Sequence, residues 1–158
     1  MKKKIISLLA VVLVFVVFWT FDYYRSKEFR LEYFDVTEQP SPADGETEVD
    51  FIIRATQNGE PVSGHDLFGI IYGRGGFKAR RVRTDENGEA LFTYLPFVAH
   101  SEDEIRDILF KIMDESNSLF IEVNAAYEGI LSLKMPEKEK ASENITMDDI
   151  FGISKSDE

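Results

Sequence analysis

The side chains that could support catalysis in this chain are two histidines with neighbouring carboxylates. His65 precedes Asp66, and His100 lies close to Glu102 and Asp103. Two imidazoles and a carboxylate form the ligand set of some catalytic zinc sites, so a metal-dependent hydrolase is one hypothesis. The spacing matches no metal-binding motif, and we expect both histidines to be surface polar residues, His65 in a turn and His100 beside a helix cap. No metal or cofactor is predicted.

A cluster of basic residues is the second candidate site. No acidic residue intervenes between Asp66 and Asp85. The cluster comprises Arg74, Lys78, Arg80, Arg81 and Arg83. Such a cluster is typical of a charged edge strand that discourages aggregation. Alternatively, it forms a patch for an anionic partner, namely phospholipid headgroups, a wall polymer, an acidic protein segment or the acidic tail of this chain.

Length and charge limit the classes of protein that fit. The 158 residues suffice for one domain with appendages, and the absence of cysteine excludes disulfides and thiolate metal sites. The net charge is −11, but three of the 18 basic residues are Lys2, Lys3 and Lys4. The remainder has 15 basic against 29 acidic residues, a net charge of −14. This charge argues against nucleic acid as a partner and favours a cationic or polar one.

The three lysines are followed by an apolar segment, Ile5 to Phe21, which only Ser7 and Thr20 interrupt. Its length is close to what a helix needs to cross a bilayer. Because the positive charges precede it, we predict a cytoplasmic N-terminus (residues 1–4), a transmembrane signal anchor (5–21) and an exported remainder.

A cleaved signal peptide is the alternative for this segment. Cleavage requires small residues near the site, and residues 18–24 are bulky throughout. An aromatic belt is predicted at the outer interface, formed by Trp19, Phe21, Tyr23 and Tyr24. Residues 22–30 are predicted to form a short stalk.

Residues 31–136 are predicted to form a β-sandwich. Val49 to Thr56 alternates apolar and polar residues with the period of a strand. Asn58-Gly59 and Asn87-Gly88 are typical of tight hairpin turns, and Glu128-Gly129 predicts a third turn. The seven predicted strands are 31–36, 49–56, 66–72, 77–83, 89–95, 119–127 and 130–135. In this interpretation 77–83 and 89–95 are the two arms of the Asn87-Gly88 hairpin. The number and size of the strands fit an Ig-like sandwich.

One helix, residues 101–114, is predicted as an insertion between the fifth and sixth strands. Ser101 and Glu104 have the spacing of a capping box. The apolar residues then follow a helical spacing, at Ile105, Ile108, Leu109, Ile112 and Met113. Phe110 lies off this stripe, so it is predicted either to pack on a sheet edge or to contact a partner.

The last segment, residues 137–158, is predicted to be a disordered acidic tail. Its second half contains a group of apolar residues that could act as a docking peptide. They are Ile145, Met147, Ile150, Phe151 and Ile153.

Two phrases of the sequence carry a family resemblance. The run Asn58-Gly59-Glu60-Pro61-Val62-Ser63-Gly64, followed by Val82-x-Thr84-Asp85-x-x-Gly88-x-Ala90, resembles the bacterial Ig-like domains of the invasin and intimin type. The resemblance covers about residues 47–135. Carboxypeptidase-regulatory and transthyretin-like sandwiches carry similar phrases. The resemblance implies an all-β, seven-stranded antiparallel Ig-like fold. A single copy with an inserted helix favours a tethered accessory domain over an adhesin stalk.

Together these features predict a single-pass membrane protein that is not an enzyme. Its extracytoplasmic Ig-like domain is predicted to be a binding or accessory domain, a subunit or partner of a cell-envelope protein assembly. A wall-polysaccharide-binding module is the alternative. In that case the rings of Tyr72, Phe77 and Tyr94 would lie together on one exposed face and stack on sugars.

Overall fold

The computed structural model describes residues 2–105 and 107–136. One long helix, α1, precedes a domain built from strands. Within the described residues, α1 is Lys2–Ser26, and it is long and apolar enough to cross a membrane. The strands are β1 (Phe29–Asp35), β2 (Ser41–Pro42), β3 (Val49–Gln57), β4 (Glu60–Pro61), β5 (Asp66–Tyr72), β6 (Gly76–Phe77), β7 (Arg81–Arg83), β8 (Glu89–Leu95), β9 (Ile108–Asp114), β10 (Ala126–Leu131) and β11 (Leu133–Lys134).

The strands form two sheets that face each other. Sheet 1 has the order β1-β3-β8-β6, with β4 paired to β3. Sheet 2 has the order β10-β9-β5-β7, and β11 and β2 form a short parallel pair. All pairings within the two large sheets are antiparallel. The predicted all-β, Ig-like antiparallel sandwich is therefore confirmed.

The core lies between the sheets and follows from the alternation of apolar residues along each strand. Phe51 and Ile53 of β3, Phe92 of β8 and Phe110 of β9 are fully or almost fully buried. The ring of Phe51 lies 5.8 Å from Phe92 in its own sheet and 4.9 Å from Phe110 in the opposite sheet. These aromatic contacts join the two sheets, because offset rings at such distances attract each other beyond their buried area.

The predicted helix at residues 101–114 is wrong. Glu102–Glu104 forms one 3-10 turn, and β9 follows in the middle of sheet 2. Ile108, Phe110 and Ile112 point into the core while Leu109 is exposed, which is a period of two. When most positions are apolar, apolar residues three and four apart occur in a strand as well as in a helix. Phe110, which did not fit the helical stripe, was the residue that distinguished them.

The predicted hairpin between residues 77–83 and 89–95 is also wrong in its pairing. β7 pairs with β5 in sheet 2, while β8 pairs with β3 in sheet 1. Of the Asn87-Gly88 pair only Gly88 has a positive φ, 73°, so the two-residue turn does not form. The Asp85 carboxylate instead accepts hydrogen bonds from the backbone N–H groups of Asn87 and Glu89, at 2.8 and 2.9 Å. This wider turn carries the chain from one sheet to the other.

The Asn58-Gly59 turn forms as predicted. Asn58 has φ 54° and Gly59 has φ 86°, the two positive values of the tight hairpin turn that joins β3 to β4.

The predicted strand at residues 119–127 begins too early, and the predicted turn at Glu128-Gly129 lies inside β10. Gly129 pairs with Phe110 on the adjacent strand β9, and a Cβ at Gly129 would lie 2.6 Å from the Phe110 ring. Gly129 is therefore required by close packing within a strand, not by a turn. Residues 116–125 form a loop with one isolated bridge, between Asn117 and Glu122.

Candidate interaction surfaces

A row of three exposed apolar side chains crosses the outer face of sheet 2. Tyr72, Leu109 and Ile130 are 56%, 52% and 52% exposed. Tyr72 pairs with Leu109, and Leu109 pairs with Ile130. Side chains opposite each other on neighbouring strands lie side by side. The three residues thus form one continuous strip, which we call the apolar row.

The neighbouring row on the same face is partly charged. Lys111 pairs in register with Ile70 on one side and Glu128 on the other. Its Nζ atom lies 2.8 Å from the Glu128 carboxylate, and this hydrogen bond raises the pKa of Lys111. The pair itself adds no net charge to the face. The apolar row is therefore bordered by one ion pair whose two charges cancel.

A groove of about 420 Å³ opens beside Tyr72. It is lined by Tyr72, Gly73, Arg74, Phe97, Glu104, Asp107 and Ile108. The Arg74 guanidinium stacks 4.1 Å from the Phe97 ring and lies 3.1 Å from the Glu104 carboxylate. Hydrogen bonds from the His100 backbone N–H and from the Arg74 side chain hold the pKa of Glu104 below its usual range. The apolar row and this groove form one continuous surface, which is apolar in the middle and polar at the rim, as in many protein interfaces.

The predicted basic cluster is spread over the β5–β6 turn, the β6–β7 connection and β7, and most of its charges have acidic partners. Arg74 pairs with Glu104, Lys78 with Glu48 and Arg81 with Glu115. Arg83 donates to the Gly64 carbonyl at 3.0 Å and lies 3.9 Å from Asp66. Arg80 is exposed and makes no ion pair with the described residues. The anionic-partner patch stays a prediction, with less free positive charge than its composition indicates.

His65 lies inside the domain, not on the surface as predicted. Its Nδ1 lies 2.6 Å from the Asp114 carboxylate, and its ring lies 5.1 Å from that of Phe29. Both His65 and Asp114 are buried. Asp114 also accepts the backbone N–H of Ser116 at 2.9 Å. The pair thus joins the start of β5 to the end of β9.

His100 is exposed, as predicted, and lies at the other end of the sandwich. Its backbone N–H donates to Glu104, which also pairs with Arg74 in the turn that follows β5, whereas His65 directly precedes β5. A seven-residue strand spans about 23 Å, so the two histidines do not form one site. In the part of the chain that the structure describes, no cluster of three histidine or acidic residues could hold a metal ion.

The three aromatic rings of the polysaccharide alternative do not share an exposed face. Tyr94 is fully buried, and Phe77 packs 5.4 Å from Phe92 in the core. Tyr72 alone is exposed. The predicted docking peptide, at residues 145–153, lies outside the described residues.

The end of α1 is attached directly to the domain. Asp22 and Ser26 are buried, whereas the helix residues from Lys4 to Phe21 are exposed. The Asp22 carboxylate accepts the backbone N–H groups of Leu119, Phe120 and Ile121 at 3.0, 2.7 and 2.8 Å. The predicted stalk, residues 22–30, thus consists of the last turn of α1, the residues that follow it and the beginning of β1.

No protein-family model and no curated protein matches the chain. Solved structures similar to it include the D00-D0 domain of intimin, at 16% identity and a TM-score of 0.43, covering 65% of this chain and 45% of that one. A C-terminal 282-residue fragment of intimin, in complex with the intimin-binding domain of the translocated intimin receptor, is 16% identical with a TM-score of 0.46, covering 65% and 31%. A conjugative transposon lipoprotein from Bacteroides eggerthii is 18% identical with a TM-score of 0.38, covering 66% and 96%.

The intimin domains among these structures are of the Ig-like type that the sequence resembles, and their TM-scores are below 0.5. The chain spans less than half the length of the two intimin structures. Identities this low concern the fold alone. The surfaces described above therefore have to be interpreted from their own geometry.

Neither the apolar row nor the Asp22 contact was found from the sequence. Leu109 was assigned to a helix, so its alignment with Tyr72 and Ile130 could not be seen. Asp22 is the first residue of the predicted stalk, and no local pattern links it to residues 119–121. The detectable signal was the alternation of Ile108, Phe110 and Ile112, which would have placed Leu109 on an outer face.

Proposed function

We propose that this protein is a membrane-tethered, extracytoplasmic Ig-like domain that binds a protein partner of the cell envelope through the apolar row. The observation that carries the proposal is the strip of Tyr72, Leu109 and Ile130, three large side chains about half exposed and aligned across three strands. Exposed apolar surface that is contiguous and rimmed by polar groups is typical of protein interaction sites.

Burial energetics indicate what the row can contribute. Full burial of a leucine or isoleucine side chain stabilises by about 1.5–3 kcal/mol. About half of that remains to be gained by each residue of the row, roughly 1 kcal/mol each. Three such residues and one side chain of the partner in the adjacent groove contribute roughly 5 kcal/mol, against about 8 kcal/mol for micromolar binding. Rim contacts and the high local concentration of a partner held in the same membrane must supply the rest.

The position of the row fits a partner that extends away from the membrane. β5 runs from Asp66, whose N–H bonds to Ser116 in the loop next to α1, to Tyr72 at its other end. The row therefore lies at the end of sheet 2 that is remote from the proposed anchor. An N-terminus in the cytoplasm would place this end furthest into the extracytoplasmic space.

Leu109→Asp tests the proposal, with Leu91→Asp as the matched control. Leu91 is 51% exposed on the outer face of sheet 1, so both substitutions place an aspartate at an equally exposed strand position. A photo-crosslinking amino acid at Leu109 in intact cells first identifies the partner. Leu109→Asp should then weaken its co-purification by about tenfold or more, since 1.4 kcal/mol is a factor of ten, and Leu91→Asp should leave it unchanged. Equal recovery with both variants would contradict the proposed surface.

Membrane topology needs a separate measurement. Reporter fusions at both termini should show a cytoplasmic N-terminus and an extracytoplasmic C-terminus. A cytoplasmic C-terminus would contradict the proposed localisation whatever the result at Leu109.

A further inference from the structure

The loop that contacts α1 exposes two large apolar side chains at its tip. Phe120 is 79% exposed, more than any other large apolar residue of the described chain, including those of the apolar helix, and Leu119 is 51% exposed. Two neighbouring large apolar side chains left in water forgo a burial free energy of about 1.5–3 kcal/mol each. The described residues leave both side chains of the tip open.

The backbone of this tip lies level with the end of the apolar segment. Asp22 directly follows Phe21, the last residue of that segment, and its carboxylate holds the Phe120 N–H at 2.7 Å. The segment from Ile5 to Phe21 spans roughly 25 Å as a helix, against about 30 Å for the hydrocarbon core of a bilayer. The boundary of the hydrocarbon therefore lies at or just beyond Phe21.

Aromatic residues of α1 mark the same level. Trp19 and Tyr23 stack with ring centroids 6.1 Å apart, and the Lys27 ammonium lies 4.2 Å from the Tyr23 ring centroid. Tryptophan and tyrosine are enriched where headgroups meet acyl chains, and lysine reaches from there to the phosphates. The Phe120 backbone thus lies at the level of helix residues that are typical of the membrane interface.

The loop cannot easily leave this position. Three backbone N–H groups are bound to Asp22, and Val123 and Ala125 pack against Phe29 at the start of β1. Only Lys27 and Glu28 separate α1 from β1. The tip and the helix end therefore move as one unit.

We propose that Leu119 and Phe120 insert into the boundary between headgroups and acyl chains on the domain's side of the bilayer. The bilayer is the occupant that this level and the continuity with α1 favour. With α1 and the tip both embedded, the domain has two points of membrane contact and a fixed orientation, and the apolar row faces away from the membrane. The inference rests on the proposed anchoring by α1.

The test uses the full chain in vesicles of phosphatidylcholine and phosphatidylglycerol. Because the sequence contains no cysteine, the variants Phe120→Cys, Val14→Cys and Leu91→Cys each accept one environment-sensitive fluorophore. Val14 reports the middle of α1, and Leu91 reports the outer face of sheet 1. Quenching by a lipid with a nitroxide high on its acyl chain is compared with quenching by aqueous iodide.

We expect the label at position 120 to be quenched by the nitroxide lipid several-fold more than the label at 91, and to be shielded from iodide. If the label at 14 is shielded from iodide but the label at 120 behaves like that at 91, the tip insertion is wrong while the anchor stands. If the label at 14 is open to iodide, the anchor itself fails, and the insertion with it. Shielding at 120 without lipid quenching would mean that protein covers the tip, either residues 137–158 or a second copy of the chain, and it would also overturn the proposal.

Discussion

The carboxylate of Asp22, at the end of the apolar helix, accepts a hydrogen bond from the backbone N–H of Phe120, 98 residues later in the chain, at 2.7 Å. The N–H groups of Leu119 and Ile121 bind the same carboxylate. An ionised carboxylate with several backbone donors is a strong, directional acceptor. This contact joins the helix to the far end of the domain sequence.

Asp22→Ala should release the loop that these bonds hold. Without an acceptor, the N–H groups of Leu119, Phe120 and Ile121 lose their partners, and their hydrogen exchange should become much faster. Asp22→Asn keeps one carbonyl oxygen and should show an intermediate effect. Hydrogen exchange by mass spectrometry in lipid nanodiscs measures the change.

The Asp85 turn is the internal control for this experiment. The Asn87 and Glu89 amides depend on Asp85 and not on Asp22. The protection of these two amides from hydrogen exchange should be the same in the parent, in Asp22→Ala and in Asp22→Asn. An Asp22→Ala variant in which residues 119–121 stay as protected as in the parent would contradict the role given to Asp22.

A pair of neighbouring substitutions tests the strand at residues 108–114. Phe110→Ala removes a buried ring and should reduce the free energy of unfolding by about 3–5 kcal/mol. Leu109→Ala acts at an exposed position and should cost less than about 1 kcal/mol. Urea unfolding of the full chain in detergent micelles, followed by circular dichroism, measures both. The reverse order of the two effects would restore the helical interpretation.

The sequence predicted the central strands because each has a clear period of two and a bounded length. β5 and β8 begin and end where the pattern predicts. The prediction from sequence failed where contacts with a distant segment decide the local structure. Asp22 holds residues 119–121 out of a strand, Phe110 requires a glycine inside β10, and β7 pairs with β5 instead of β8. Such contacts join segments far apart in sequence, so local periodicity carries no signal for them.

The candidate surfaces were also predictable only as far as local sequence determines them. The basic cluster and both histidines were located by residue type, but their ion-pair partners, Glu48, Glu104, Asp114 and Glu115, come from other elements. Residue type therefore identified the charges without showing that they were compensated. The apolar row required the register of three strands, two of which could not be assigned correctly from the pattern alone.

His65→Leu should destabilise the domain, whereas His100→Leu should not. Removal of the imidazole leaves the buried Asp114 carboxylate with the Ser116 N–H as its remaining partner. A buried acceptor that loses its hydrogen-bond partner costs about 1–3 kcal/mol. A substitution at the exposed His100 should lie within about 0.5 kcal/mol. Unfolding of both variants under the same conditions gives the comparison, and similar stabilities would contradict a structural role for His65.

The stability of the domain at alkaline pH should depend on Tyr94. This side chain is buried and donates a hydrogen bond to the Arg74 carbonyl at 2.8 Å, and burial raises its pKa to about 12. An unfolded tyrosine has a pKa of about 10. The contribution of Tyr94 is therefore complete below about pH 10 and is lost as the pH rises towards 12.

Tyr94→Phe removes this titration, and Tyr72→Phe is its matched control at an exposed position. At neutral pH, Tyr94→Phe should cost about 1 kcal/mol for the lost hydrogen bond. Between about pH 10 and 12 the stability of the parent should fall more steeply than that of Tyr94→Phe, because the phenylalanine has no proton to lose to the solvent. Tyr72→Phe should follow the parent throughout. Melting temperatures measured across this range would contradict the assignment if the curves of the parent and Tyr94→Phe were parallel.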